Sequence, residues 1–139
     1  MIRKIVILLT CVMFLAVGCA GLPKGADGES ALRSRVNAYW QHKIKGEFDR
    51  AYLLESPDIR EKITLTNYIK AQTGGVIWRD VDIESVSINE DLATVILKIN
   101  YVFLGMFGPK EGISRQINDY WQLQKGKWYR LQRSPQKRG

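Results

Sequence analysis

The stretch "GGVIWRDVDIESVSINEDLATVILKINYVFL", residues 74–104, is where one periodicity of the chain gives way to another. Two glycines stop a helical pattern, and two-residue alternation follows. From residue 92 to 104, Ala93, Val95, Leu97, Ile99, Tyr101 and Phe103 form an unbroken apolar face, as in a strand with one side against a core. The other face mixes Leu92, Ile96, Val102 and Leu104 with Thr94, Lys98 and Asn100. Residues 76–89 alternate too, but Val81 and Ile83 fall on one face while Val86 and Ile88 fall on the other. That parity switch, near Glu84 and Ser85, predicts a β-bulge that bends the strand. "NED" at 89–91 reads as the turn between the two strands.

Outward from this stretch the pattern holds on both sides. Downstream, a third strand is expected from Ile113 to about Leu123, and "KG" at 125–126 turns it into a fourth, "KWYRLQR". Upstream, Ser30 can cap a helix beginning at Ala31, with Leu32, Val36, Tyr39, Trp40 and Ile44 on one face and Gly46 at its end. A short second helix, "EFDRAYLLE", sets Phe48, Ala51 and Tyr52 on one side. "SPDIREKITLTNYIKAQ" reads as a third, capped by Ser56 with Pro57 at its first position and Ile59, Ile63 and Tyr68 inward. The expected class is α+β, with three N-terminal helices packed on one face of a bent antiparallel sheet of about four strands. No internal repeat is present.

The N-terminus has a different character. Arg3 and Lys4 precede an apolar run from Ile5 to Val17. As a helix that run spans roughly 20 Å, short of a hydrocarbon core of ~30 Å, so a removable signal peptide over residues 1–18 fits better than a spanning helix. Ala16, Val17 and Gly18 then lead into Cys19. This resembles the lipobox of bacterial lipoproteins, with Ala16 where that motif favours leucine. The resemblance implies a diacylglyceryl group on the Cys19 thiol and a further acyl chain, palmitate for example, on its amine. It implies a domain held at the cell membrane or outer membrane and facing the periplasm or the exterior. Ala20, in the place where sorting rules of enteric-type bacteria put aspartate for inner-membrane retention, resembles the outer-membrane class. The other cysteine of the chain, Cys11, lies in the discarded segment, so no disulfide framework is available to the domain. Residues 19–29, rich in glycine and small or polar residues, read as a flexible tether, 30–133 as the folded domain and 134–139 as a basic tail.

The run "VNAYWQHKIKGEFDRAYLLESPDIREKI", residues 36–63, resembles the opening of the NTF2-like superfamily, also called SnoaL-like or cystatin-like. In that superfamily a long helix with an aromatic pair leads to a "KG[DE]" turn, a second helix with "AY" and a Ser-Pro start to the third. The resemblance covers about residues 31–133 and implies that the bent sheet wraps the helices into a cone. It speaks for fold, because the superfamily holds enzymes, binding modules and assembly parts.

Motifs that carry chemistry are scarce. The sequence has no Gly-rich phosphate loop, CxxC, HExxH or nucleophile elbow, and its one histidine, His42, cannot by itself build a multi-histidine metal site. No cofactor and no metal are expected. His42, Lys43, Lys45, Glu47 and Asp49 read as a wet face. Arg115 and Asp119 share a strand face with Ile113, Ile117, Trp121 and Leu123, about 13 Å apart at ~3.3 Å per residue. If helices cover that face, both charges point into the cone. Trp40, Tyr101, Arg115, Asp119 and Trp121 are therefore the candidate pocket residues, and a walled-in Asp119 could act as a general acid/base. No partner acid, base or histidine is evident beside it, which points to binding rather than catalysis. Met106 and Phe107, between glycines in "LGMFGPKEG", form an apolar loop tip.

Charge is unevenly placed. Residues 19–119 carry 13 basic and 14 acidic groups, whereas Lys125, Lys127, Arg130, Arg133, Lys137 and Arg138 follow with no acid among them. On a tethered domain, Lys125, Lys127, Arg130 and Arg133 are candidates for contact with an anionic surface such as lipid phosphates. No nucleic-acid partner is expected of an exported chain. The expectation is a lipid-anchored envelope protein with a non-catalytic binding or interaction domain, its partner an envelope protein or a small apolar ligand. The alternative is a small pocket enzyme of the SnoaL-like type using Asp119.

Overall fold

The computed structural model describes residues 26–105 and 111–135. The expected signal peptide, Cys19, most of the tether, Met106, Phe107 and the last residues of the basic tail lie outside this set. Four helices come first: α1 (Ala26–Lys45), α2 (Phe48–Tyr52), α3 (Pro57–Lys62) and α4 (Leu65–Gln72). Four strands follow: β1 (Val76–Asn89), β2 (Leu92–Phe103), β3 (Ile113–Gln124) and β4 (Lys127–Leu131). They form one antiparallel sheet in the order β1-β2-β3-β4. The α+β class and the single four-stranded sheet are as expected, with four helices in place of three.

The extra helix arises because "SPDIREKITLTNYIKAQ" breaks in two. Ile63 adopts an extended backbone, φ −127° and ψ 118°, and Thr64 takes over as the N-cap of α4. Its Oγ1 accepts a hydrogen bond from the Asn67 backbone N–H at 3.3 Å. Two β-branched residues in succession lose side-chain freedom in a helix, and the threonine hydroxyl rewards a fresh start. The first helix also departs from expectation. It begins at Ala26 rather than Ala31, so residues 26–29, assigned to the tether from sequence, are helical, and Glu29 pairs with Arg33 one turn on at 2.8 Å.

The bulge predicted from the parity switch is present. Ile83 faces Leu97 and Ser85 faces Ile96, which leaves Glu84 between them. A second register shift lies between Trp78 and Asp80. Together they turn Trp78, Val81, Ile83 and Val86 to the same side, against the core. On β2, Ala93, Val95, Leu97 and Ile99 are buried, but Phe103 is 40% exposed, so the apolar face outruns the helices that cover it.

The core lies between α1 and the concave face of the sheet. Leu32, Val36, Tyr39 and Trp40 of α1 are buried against Val95, Leu97, Trp121 and Trp128. The next residue at helical spacing is Lys43, and it is buried, while Ile44 is only partly so. The sheet edge beyond β4 is covered by the chain leaving α2: Arg130 N–H donates to the Leu54 carbonyl at 2.8 Å, and Ser56 N–H donates to the Arg130 carbonyl at 2.9 Å. This short parallel bridge seats Glu55 beside Arg130 under the helices.

Candidate functional site: a buried charge network in an aromatic shell

Strand alternation decides which polar side chains enter the cone. On β3, Ile117, Asp119, Trp121 and Leu123 face the helices; on β4, Trp128 and Arg130 do so. Asp119 has no exposed surface. One of its oxygens, Oδ2, accepts from Trp40 Nε1 and from Trp121 Nε1, each at 3.0 Å, and Oδ1 accepts from Arg130 Nε at 2.7 Å. Arg130 Nη1 also donates to Glu55 Oε1 at 3.3 Å. Around that same glutamate oxygen, Tyr39 Oη donates at 2.9 Å and Tyr68 Oη at 3.2 Å. The arginine therefore bridges two buried acids, with its guanidinium 4.8 Å from the centre of the Tyr39 ring.

Lys43 completes the network. Its ammonium lies 5.3 Å from the centre of the Trp78 ring and 5.9–6.0 Å from those of Tyr39, Trp40 and Phe48. Its Nζ donates to Gln72 Oε1. In their ionised forms Asp119, Glu55, Arg130 and Lys43 sum to zero charge, which is the condition for keeping four charges out of water. Burial pushes the Lys43 amine down to about 8, with the nearby Arg130 acting in the same sense and Glu55 and Asp119 opposing it. Burial likewise raises the Tyr39 and Tyr68 hydroxyls above their ordinary value, Arg130 working against it and Glu55 with it. For Arg130 burial works against the charge, but the combined interactions with Tyr39, Asp119 and Glu55 outweigh it, so the guanidinium is raised overall.

Trp40, Asp119 and Trp121, three of the candidate pocket residues, thus meet in one hydrogen-bonded cluster. Tyr101 joins it at one remove: its ring lies 5.7 Å from that of Trp78, which in turn lies 5.2 Å from Trp40. Arg115 is exposed, opposite Ile99 near the open end of β3, and does not join. Arg130 is not the surface contact expected of it. It shares the inner face with Trp128, two residues before it, so its side chain is only 19% exposed. Lys125, Lys127 and Arg133 are exposed. Lys43 was expected on the wet face and is instead 6% exposed, because it lies four residues from Tyr39 and three from Trp40. That spacing was the one signal that could have found it. His42 lies on the solvent side as expected, and its Nδ1 pairs with Glu47 Oε2 at 2.6 Å. This hydrogen bond holds the Glu47 carboxyl below its ordinary value. Glu55, at the end of "EFDRAYLLE", carried no periodic signal at all.

A second concave feature lies outside the cone. An open groove of about 900 Å³ runs between α3 and the ends of β2, β3 and β4, lined in part by Ser56, Ile59, Lys62, Leu92, Gln122 and Arg133. Ser56 is buried, and its hydroxyl has no hydrogen-bond partner among the described residues. Among the described residues no three His, Cys, Asp or Glu side chains are arranged to hold a metal ion, and no helix is long and apolar enough to cross a membrane.

No protein-family model matches the sequence, and no curated protein matches it. Solved structures do resemble the fold. A protein of the NTF2-like family from Streptomyces avermitilis superposes with a TM-score of 0.54 at 15% identity, covering 75% of this chain and 91% of its own. The fold is NTF2-like. Two SEC-C motif containing proteins share it: one from Rhodopseudomonas palustris (TM-score 0.53, 20% identity, 73% of each chain) and one from Psychrobacter arcticus (TM-score 0.57, 9% identity, 73% of this chain). This chain spans 58% of the length of the Psychrobacter arcticus protein. At these identities the NTF2-like likeness concerns architecture and carries no activity across.

Proposed function

We propose that this chain is a lipid-anchored protein of the bacterial envelope whose NTF2-like domain binds a partner or a small apolar ligand and does not use Asp119 for catalysis. The observation that carries the non-catalytic part is the saturation of Asp119. A general acid/base must reach the proton it moves, at hydrogen-bond distance from the substrate. Here both carboxylate oxygens are already taken by Trp40, Trp121 and Arg130, and the residue has no exposed surface. The open groove beside α3 supports a binding reading. The anchoring part rests on "LAVGCAG" at residues 15–21, and the exposed Lys125 and Lys127 are available to an anionic surface.

The test of the anchor is the intact mass of the mature chain extracted from membranes. A mass for residues 19–139 plus a diacylglyceryl group and an N-acyl chain is expected. Cys19→Ser should give a folded domain that is unlipidated, either uncleaved or released. A mature N-terminus at another residue, or a bare Cys19 thiol, overturns the reading. In-cell crosslinking followed by mass spectrometry tests the interaction part. It should yield one envelope protein reproducibly joined to this domain, and recovery of the domain alone would count against a protein partner.

A further inference from the structure

Lys43 is a buried nucleophile to which the network above gives no chemical task. The acids nearest to it, Asp119 and Glu55, are both bonded to Arg130 at 2.7 and 3.3 Å. Among the described residues the amine has a single hydrogen-bond acceptor, Gln72 Oε1, and no carboxylate at ion-pair distance. Four aromatic rings from α1, the start of α2 and β1 form its walls. Such an amine is neither solvated like a surface lysine nor locked in an ion pair.

We infer that Lys43 is a covalent binding site for small aldehydes, which it takes up as a protonated imine inside the box of Tyr39, Trp40, Phe48 and Trp78. The neutral amine attacks the carbonyl carbon, forming the C–N bond. The amine gives up a proton and the carbonyl oxygen gains one, so a carbinolamine results. Loss of its hydroxyl as water leaves the C=N bond, and protonation of the nitrogen makes the iminium. No oxidant, reductant or further reactant is needed.

Two features select this chemistry over other reactions of amines. The first is charge. An iminium keeps the positive charge that balances Asp119, Glu55 and Arg130, and the negative faces of the four rings stabilise it as they do the ammonium. Acylation would delete the charge and leave the buried network with a net negative one, and a carbamate would set an anion against the rings. The second is the supply of free base. With the amine held at about 8, roughly a tenth to a quarter is neutral between pH 7 and 7.5, against about a thousandth for an exposed lysine. A residue that is 6% exposed can be reached only by compact carbonyl compounds.

The experiment treats the purified full chain at pH 7.5 with propanal and cyanoborohydride, which delivers hydride to the imine and fixes it as a secondary amine. Peptide mass spectrometry then follows each lysine over time. Lys43 should be modified more than tenfold faster than Lys62, Lys98 and Lys125, which are exposed. In denaturing urea its advantage should vanish. Acetic anhydride on the folded chain should show the opposite order, with Lys43 among the last to react. Lys43→Arg, which keeps the cation, should lose only the fast phase, with its fold checked by circular dichroism. Modification of Lys43 no faster than the exposed lysines, or only after unfolding, overturns the proposal. This outcome is separate from the fate of the lipid anchor, which concerns Cys19 alone.

Discussion

Asp119 and Arg130 show how one position in a strand decides between a surface charge and a core charge. Asp119 lies between Ile117 and Trp121 on the concave face, and Arg130 pairs across from Trp121. Neither could stay buried alone, since an unpaired ion costs several kcal/mol to bring out of water. Asp119→Ala removes three hydrogen bonds at once and leaves Arg130 short of a counter-charge. It should lower the unfolding free energy by about 3–5 kcal/mol, read from urea denaturation with the fold of the surviving population checked by circular dichroism. Asp119 was identifiable from its place on an alternating strand. For Arg130 the basic composition of the C-terminal end points to the surface, and the parity of a five-residue strand overrules it.

At the scale of elements, the strands were the most legible part of the chain. The bulge at Glu84 follows from a parity switch that no regular strand could tolerate with one face buried. The helices were less so. Residues 57–72 carry a helical pattern throughout, and only the extended backbone at Ile63 and the Thr64 cap divide them. The division has a measurable cost if the cap is lost. Thr64→Ala removes the hydrogen bond to Asn67 N–H and should destabilise the domain by about 1 kcal/mol, seen as a shift of the urea midpoint with unchanged slope. Thr64→Asn, which can cap equally well, should restore the midpoint.

At the scale of the whole molecule, the buried network makes stability depend on pH on the alkaline side. Lys43 binds its proton more weakly in the folded state, at about 8, than in an unfolded chain at ~10.4. Between those values the unfolded state holds more protons, so stability rises with pH, and below about 8 this group contributes no slope. The charged groups that face it are Arg130, Glu55 and Asp119, with the tyrosines Tyr39 and Tyr68 beyond them. Tyr39 and Tyr68 are raised on folding, so above pH ~10 the unfolded state loses protons first and stability falls. Urea denaturation at intervals from pH 7 to 11 should therefore show a maximum at roughly pH 9–10. Lys43→Met should abolish the rise while leaving the fall. A flat profile across pH 8–10 in the unsubstituted protein would contradict the buried amine. The sequence by itself determined the class of the fold, because periodicities of 3.6 and 2 residues are local and each segment states which face it must bury. It also determined that a strand had to bend near Glu84 and that Asp119 shares a strand face with Ile117 and Trp121. Only the tertiary structure decided where the charges end up. Glu55, Lys43, Asp119 and Arg130 come from four separate segments, and their mutual neutralisation is a long-range Coulombic condition that no local pattern encodes. The aromatic box around Lys43 exists only once α1, the start of α2 and β1 have closed on one another.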